Sequence, residues 1–392
     1  MSLSRRQFGN GLCALTAFML TRTVFGDEAP ASWSKDFIKP GYQPMDDDEK
    51  GLWGIMDHAE SEIKNSRFLV RDNEVNDYIR GIICKLGEQY CPGVRSYVLR
   101  TPHFNASMAP NGMMQVWTGL LLRCRDEAQI AAILGHETGH YLRQHTVQVW
   151  RNVRSKSNFS AFLGLALGAA GVGILGSATD LALVASIYSF SRDQEREADE
   201  IGLHLMAKAG YAPSAAPEVW DQLLAEFKGS TAERDKSVLF ATHPLPEERL
   251  ATLKQQADAL GGNNGARGKE AYNSKLAAIR PMLIADELAL RQYGRSEIVF
   301  DRLLADSPND GQLWYAKGEL YRFRNGDGDA ERALSAYARS LQSGNAPGEV
   351  HRSIMLEELR VGSRERAKEA LDAYAKFKPD AADLEMLNSL LQ

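Results

Sequence analysis

The sequence predicts a mainly helical protein of the α+β class, in which a domain with one small β-sheet is followed by an all-helical repeat region. Three observations predict this arrangement. Apolar side chains recur at helical spacing in several segments, strand-like segments are confined to residues 96–116, and aromatic residues recur every 37 positions near the C-terminus. The composition is that of a folded protein, because 44% of the 392 residues are hydrophobic and 25% are charged.

The length of the chain limits the number of domains, and its net charge limits the kinds of partner that it can bind. At roughly 100–200 residues per domain, the length corresponds to two or three domains. The net charge of −5 is mild, and no lysine- or arginine-rich run stands out. We therefore expect no nucleic-acid partner, because binding to phosphates depends on concentrated positive charge.

Residues 1–31 predict an export signal. Arginines at positions 5 and 6 precede a short apolar stretch, and small side chains follow it. The run at 4–8 resembles a twin-arginine signal, although a general secretory signal that contains two arginines also fits. Residues 11–21 are too few to span a bilayer, which favours cleavage over anchoring. We expect a periplasmic or otherwise exported mature chain.

The next part of the chain is predicted to contain helices and then two short strands. Residues 46–90 have a helical pattern, and a second helix is predicted to begin at Asn73. Strands are predicted at 97–99 and 113–116, with a Pro-Asn-Gly turn at 110–112 between them.

Three cysteines follow the export signal, so at least one thiol has no partner within the mature chain. They are Cys84, Cys91 and Cys124. Two interpretations of Cys84 fit its position: a disulfide with Cys91, or a small core residue of an apolar helix.

Residues 126–144 predict a helix that begins at the capping residue Asp126 and carries an HExxH motif. His136 and His140 are one turn apart and project from the same face, so two neutral imidazoles can bind one zinc ion at about 2.0–2.1 Å. Glu137 is rotated by about 100° from His136 and flanks the metal. From there it can accept a proton from the water on the metal.

A third ligand is predicted on a later helix, at about 194–209. Glu195 and Asp199 are again one turn apart. Glu195 would complete a His₂Glu site, and Asp199 would accept a hydrogen bond from the free ring N–H of a zinc histidine. Glu197 lies on another side of the helix and is the second choice of ligand. His145 is one position short of the metzincin spacing, and we expect it at the surface, at the end of its helix.

The C-terminal third contains a repeated pattern. Three aromatic residues recur at intervals of 37: Phe300, Tyr337 and Tyr374. Each follows a small residue by four positions: Ser296, Ala333 and Ala370. Three further residues have the relative spacing of the tetratricopeptide repeat: Trp314, Gly318 and Tyr321. The pattern predicts an array of stacked helix pairs from about Asn273 to the end, with an unrelated helical bundle as the alternative.

Several motifs occur together in a fixed order. The HExxH motif at 136–140 is followed by Ser-Arg-Asp-Gln-Glu-x-x-Ala-Asp-x-x-Gly at 191–202, and then by Thr-His-Pro at 242–244 with Arg249. They resemble the zinc metallopeptidase family of HtpX, Oma and the CAAX-prenyl protease. The likeness is closest to the periplasmic BepA-type branch, which joins the peptidase domain to C-terminal tetratricopeptide repeats.

This resemblance implies a zincin-type (gluzincin) metallopeptidase domain at 32–262 and a tetratricopeptide-repeat domain at 270–392. It also implies roles for further residues. Arg249 would orient the site or stabilise the tetrahedral oxyanion. His243 would either coordinate zinc as a fourth ligand, in a self-inhibited state, or lie beside it without coordinating, where it would support a ligand or stabilise the oxyanion. The edge strand beside the cleft, to which an extended substrate adds, would consist of Met113, Met114, Gln115 and Val116.

We therefore expect an exported endopeptidase with one Zn²⁺ per chain, acting on misfolded or stalled envelope proteins, outer-membrane proteins among them. The repeats would recruit a client or the assembly machinery. The alternative is a chaperone or interaction protein whose zinc site is largely closed by His243. The charge-poor segment 161–190 lies between the two ligand motifs. It would form a buried helical hairpin, a flap over the zinc, or a peripheral membrane contact.

Overall fold

The structure is a computed structural model, and it describes residues 32–154, 190–229, 243 and 247–392. The chain divides into two compact units, residues 1–35 and Asp36 to the C-terminus. In the first unit, the described residues form a short 3₁₀ turn, Ser32–Ser34. All elements named below belong to the second unit. The predicted export signal (1–31) and all but the last residue of 161–190 lie outside the described residues.

Two capped helices begin the second unit. At the start of α1 (Asp47–Asn65), the side chain of Asp46 accepts a hydrogen bond from a main-chain N–H of the first turn. Asp72 does the same for α2 (Asn73–Leu86). Such caps satisfy N–H groups that the start of a helix leaves without a partner. The predicted start of the second helix at Asn73 is confirmed.

A disulfide joins Cys84 of α2 to Cys91 in the following 3₁₀ turn, Glu88–Gly93. Of the two interpretations of Cys84, the structure contains the disulfide. Cys124 is buried and has no disulfide partner among the described residues, and burial raises the pKa of its thiol.

A three-stranded sheet follows, in the order β1–β3–β2. Its strands are β1 (Arg95–Leu99), β2 (Ala106–Met108) and β3 (Met113–Trp117). β3 pairs in parallel with β1 and antiparallel with β2. The prediction that Met113, Met114, Gln115 and Val116 form an edge strand is therefore wrong, because β3 is paired on both sides.

Of the two outer strands, β1 pairs on its far side with residues 68–70, so the remaining edge position belongs to β2. It has three residues, too few for a periodic pattern to be read from the sequence. The predicted turn at 110–112 connects β2 directly to β3, and Gly112 adopts a φ of +84° within it. A side chain at Gly112 has no room either, since a Cβ there would lie 2.3 Å from the carbonyl oxygen of Gly93.

The helices that carry the sequence motifs come after the sheet. They are α3 (Thr118–Arg123), α4 (Glu127–Leu142), α5 (His145–Arg154), α6 (Arg192–Lys208), α7 (Ala215–Gly229) and α8 (Glu247–Ala259). α4 packs extensively against α6 and also contacts α7 and β2.

Glycines bring the backbones of α4 and α6 into contact. A Cβ at Gly202 of α6 would lie 2.8 Å from the main-chain nitrogen of His136, and one at Gly139 of α4 would lie 3.0 Å from the carbonyl oxygen of Ala198. Neither position therefore accepts a side chain without a shift of the backbone. This contact places the two predicted ligand motifs opposite each other.

The C-terminal region is entirely helical in its regular elements, as predicted. It consists of α9 (Lys269–Leu276), α10 (Arg280–Ala289), α11 (Tyr293–Asp306), α12 (Gly311–Arg324), α13 (Asp329–Gln342), α14 (Glu349–Arg360), α15 (Arg364–Phe377) and α16 (Leu384–Ser389). From α11 onward, each helix packs against the next.

The recurring aromatic residues of this region are buried on alternate helices, α11, α13 and α15. A Cβ at Gly318 of α12 would lie 2.2 Å from the ring of Tyr337, so the glycine lets the ring pack against the helix. The arrangement is consistent with a repeat domain. The tetratricopeptide assignment and the domain limits at 262 and 270 stay predictions.

Buried charges connect the C-terminal helices to the helices before them. Arg123 of α3 donates hydrogen bonds to Glu226 of α7 and to Glu287 of α10, at 2.7 and 2.9 Å. Burial alone would raise the pKa of Glu287, but Arg123 and Arg295 outweigh it and lower the pKa to about 2. Among the described residues, no helix has both the length and the apolar character needed to cross a membrane.

Candidate metal centre

The two histidines of the HExxH motif lie side by side on α4. The side chain of Asp126 caps the helix by accepting a hydrogen bond from the N–H of Gln129. His136 and His140 are buried, and their Nε2 atoms are 3.1 Å apart. Their one-turn spacing therefore makes both nitrogens face the same point.

Glu195 of α6 and His243 approach that point from other directions. Glu195 Oε2 lies 3.6 Å from His136 Nε2, and Oε1 lies 3.5 Å from His140 Nε2. His243 Nδ1 lies 3.0 Å from Glu195 Oε1 and 3.4 Å from His136 Nε2. These four side chains, called the donor cluster below, offer ligand atoms that all lie within 4.8 Å of one another.

The spacing within the donor cluster fits a small metal ion. Ligands about 2.0–2.1 Å from a tetrahedral zinc ion lie roughly 3.3 Å from each other. The contacts just given range from 3.0 to 3.6 Å. His136 Nδ1 faces the Asp199 carboxylate, which can only accept, so Nδ1 carries the ring proton and Nε2 directs a lone pair at the cluster, as a metal ligand must.

His136 is supported from behind by Asp199 and Arg249. Its Nδ1 lies 2.9 Å from Asp199 Oδ1, and Arg249 donates from Nε to Asp199 Oδ2 at 2.5 Å. Arg249 Nη1 also lies 2.5 Å from Glu195 Oε2. Burial alone would raise the pKa of Asp199, but the Arg249 guanidinium outweighs it and lowers the pKa. Arg249 thus fixes both carboxylates that serve the cluster.

Glu137 lies beside the cluster and contributes no ligand atom to it. Its Oε1 is 3.5 Å from His243 Nε2, and burial raises the pKa of its carboxyl group. Burial also lowers the pKa of His140, which favours the neutral imidazole that a metal requires. A buried carboxyl group with a raised pKa suits proton transfer.

His145 is buried and hydrogen-bonded, so the expectation of a surface residue is wrong. Its Nδ1 lies 2.9 Å from His140 Nδ1, and its Nε2 lies 2.9 Å from Glu197 Oε2. Glu197, the second choice of ligand, lies behind the cluster and contacts Arg143, with Oε1 2.7 Å from the arginine Nε. Burial lowers the pKa of His145 although Glu197 opposes this effect.

The chain reversal after α4 explains why the sequence pattern missed His145. Gln144 adopts a left-handed conformation, with a φ of +55°, between the end of α4 and the start of α5. The reversal returns His145 to the last turn of α4, next to His140. Five positions do not repeat on a helix face, so helical periodicity gave no signal for this contact.

Phe190 covers one face of the His140 ring and was also missed. The two rings are stacked, with centroids 3.8 Å apart and planes 20° apart. Phe190 directly precedes the capping residue of α6, Ser191, so it enters the site together with Glu195. No spacing rule marks an aromatic residue before a helix start as a contact of a distant histidine.

Comparisons with known proteins agree with this arrangement. Residues 70–257 match the sequence profile of peptidase family M48. A putative beta-barrel assembly-enhancing protease of Vibrio cholerae is 26% identical over 270 residues, which cover 66% of this chain and 54% of the relative. The beta-barrel assembly-enhancing protease of Escherichia coli is 24% identical over 258 residues, 63% of this chain and 50% of the relative.

A mitochondrial relative matches a shorter region more closely. The mitochondrial metalloendopeptidase OMA1 of Schizosaccharomyces pombe is 32% identical over 161 residues, which cover 41% of this chain and 45% of the relative. The chain thus spans about half the length of the curated relatives it matches.

Proposed function

Because residues 70–257 form a peptidase family M48 domain, we propose that the chain is an exported zinc-dependent endopeptidase. The observation that carries the proposal is the donor cluster with Glu137 beside it. Two histidines and a glutamate are a common ligand set of catalytic zinc in proteins. His136, His140 and Glu195 would hold one zinc ion per chain.

The residues around the cluster supply the remaining chemistry. Zinc, when bound, lowers the pKa of a water molecule to about 7 and polarises the carbonyl group of a peptide bond. Glu137 accepts the proton of the attacking water and returns it to the leaving amine. Asp199 holds the His136 ring in the tautomer whose Nε2 is free to bind. Arg249 is engaged by two carboxylates, which supports a role in orienting the site over direct contact with the oxyanion.

An extended substrate would add to β2 at the outer edge of the sheet. Asn105 O accepts from Trp117 N, and Ala109 N donates to Met113 O. Because hydrogen-bonded pairs alternate in an antiparallel ladder, the main-chain groups of Ala106 and Met108 point away from β3. They have no main-chain partner among the described residues. β2 contacts α4, so a peptide along this edge would run beside the HExxH helix.

The setting of the activity is proposed from the relatives. Two of them are named beta-barrel assembly-enhancing proteases, which supports outer-membrane protein assembly as the context and envelope proteins as the substrates. The Cys84–Cys91 disulfide supports an oxidising compartment such as the periplasm. The C-terminal helices would recruit a client or the assembly machinery.

Replacement of Glu137 by Gln tests the catalytic role. Glu137→Gln keeps the size of the side chain but removes the proton acceptor, so cleavage of casein should fall by at least about 100-fold. Zinc measured by elemental analysis should stay near one ion per chain, because Glu137 is not a ligand. Glu248→Gln, at an exposed position of α8, is the matched control. Undiminished cleavage by the Glu137 variant would refute the mechanism.

His243 supports a second candidate function, a chaperone or interaction protein with a largely self-inhibited zinc site. Its Nδ1 lies within the donor cluster, where it would act as a fourth ligand. His243→Ala should then open the site and raise the rate of casein cleavage, while His351→Ala in α14 should leave the rate unchanged. A lower or unchanged rate, with zinc retained, would argue against self-inhibition.

A further inference from the structure

The side chains behind His140 form a chain of contacts that the activity proposed above does not use. His140 Nδ1 meets His145 Nδ1 at 2.9 Å, and His145 Nε2 meets Glu197 Oε2 at 2.9 Å. His145 is fully buried, whereas the side chain of Glu197 is 39% exposed. The contacts therefore run from the donor cluster to the protein surface.

The positions of the protons follow from the contacts. The Glu197 carboxylate can only accept, so His145 Nε2 carries the ring proton and donates to it. The other nitrogen of the neutral His145 ring, Nδ1, is then the acceptor for the ring proton on His140 Nδ1, which leaves a lone pair on His140 Nε2 facing the cluster. Each neutral imidazole has one donor and one acceptor in use, and no other tautomer pair satisfies both contacts.

We propose that His145 and Glu197 are positioning residues for the metal ion, which hold His140 in the tautomer and orientation that it needs as a ligand. The inference rests on the proposed function in one respect, that the donor cluster binds zinc. Glu197 orients His145, and His145 orients His140. A second layer of this kind is worth about 10–100-fold in metal affinity in other zinc sites.

Packing around His140 shows why a hydrogen bond is needed there. Phe190 stacks on one face of the ring and restrains its tilt. Stacking does not select between the ring flipped by 180° and the ring as observed, because both present the same flat face. The contact with His145 does select, since a flipped ring would direct a carbon atom at the His145 acceptor. The hydrogen bond thus fixes what the stacking leaves open.

Two substitutions at residue 145 separate this role from filling of the core. His145→Phe keeps a ring of similar size but offers no acceptor to His140 Nδ1. His145→Asn offers an amide oxygen near the position of the imidazole Nδ1. We expect the Phe variant to bind zinc about 10–100-fold more weakly in a competition titration with a chelator. The Asn variant should recover most of the affinity, although its side chain is smaller.

Substitution of Glu197 gives an independent test, because its partly exposed side chain can be replaced without disturbing the core. Glu197→Ala should weaken zinc binding less than His145→Phe does, because it acts through one more hydrogen bond. Asp193→Ala is its matched control, since Asp193 lies on the same helix, is 89% exposed and forms its ion pair with Arg196, away from the donor cluster. Circular dichroism of each metal-free variant checks that it folds.

The tautomer of His140 can be measured directly. It would not change on substitution of His145 if His145 only filled space in the core. Long-range ¹H–¹⁵N spectra of the zinc-loaded protein should show a protonated Nδ1 at His140 in the unmodified protein and in the His145→Asn variant. The His145→Phe variant should show a mixture or altered shifts. Zinc affinity within twofold of the unmodified protein in both folded variants, His145→Phe and Glu197→Ala, would overturn the proposal. Failure of the unmodified chain to bind zinc would instead overturn the proposed function.

Discussion

The two sides of the donor cluster hold their histidines in different ways. His136 is backed by Asp199 and Arg249, a buried ion pair. His140 is backed by His145, a buried residue with its pKa lowered by burial, and then by Glu197 at the surface. One side uses opposite charges removed from water, and the other uses a neutral ring connected to solvent. Both histidines therefore have a hydrogen-bond acceptor at Nδ1, but the acceptor is a charged carboxylate for His136 and a neutral ring for His140.

The largest effect is expected from removal of the charge on the His136 side. Arg249→Met leaves the carboxylates of Asp199 and Glu195 buried without their cation. In the metal-free protein this should lower the free energy of unfolding by about 3–5 kcal/mol, measured by urea denaturation. Arg196→Met, at an exposed position of α6, is the control. A loss below about 1 kcal/mol would show that the charge of Arg249 contributes little to stability. The contrast between a charged His136 side and a neutral His140 side would then be wrong.

A smaller effect is expected from neutralisation of Asp199. Asp199→Asn keeps an oxygen near His136 Nδ1 but removes the negative charge and weakens the contact with Arg249. Zinc affinity should fall by about 10–100-fold in a chelator competition titration. The loss should exceed that of Glu197→Ala, because Asp199 contacts a ligand directly. An equal or smaller loss would mean that the His140 side is the more important support.

The smallest effect is expected at Glu60, a buried carboxylate outside the donor cluster whose partners Arg95 and Lys64 reach solvent. Burial alone would raise its pKa, but Arg95, Tyr97 and Lys64 outweigh it and lower the pKa to about 2. Because the pKa in the folded protein is below the ordinary value, the stabilisation is present above pH about 4.5 and is lost as the pH falls toward 2. Urea denaturation at pH 5 and pH 3 should show a smaller pH effect in Glu60→Gln. Equal pH effects in the two proteins would contradict the assignment.

The features that the sequence predicted are those that repeat within one helix. His136 and His140, and likewise Glu195 and Asp199, are pairs spaced by one turn, and each pair lies on one helix of the structure. The resemblance to the metallopeptidase family is confirmed by the match over residues 70–257. The mainly helical fold with one small sheet is confirmed as well. Helical periodicity is a local property, so it can be read without knowledge of the tertiary structure.

The features that the sequence did not predict depend on chain reversals and on short pairings. The left-handed residue Gln144 brings His145 back onto α4, and no residue pattern marks a non-glycine left-handed conformation in advance. β2 becomes a strand only because the turn beside it places it next to β3. Phe190 reaches His140 through tertiary packing. Each of these contacts is decided by the fold as a whole and not by the spacing of residues.

The contact of α4 with α6 through Gly139 and Gly202 also has a consequence for how the site tolerates change. The two glycines fix the register of the helices directly, so the relative position of the ligands does not depend on the length of chain that connects them. Lengthening a connection costs little, about 0.6 kcal/mol for each doubling. Insertions and deletions between α5 and Phe190 are therefore compatible with an intact site, whereas a single methyl group at Gly202 is not. Transfer of the site to another scaffold would require the helix pair, its glycines and the supporting residues His145 and Phe190, and would leave the length of chain between those two residues free.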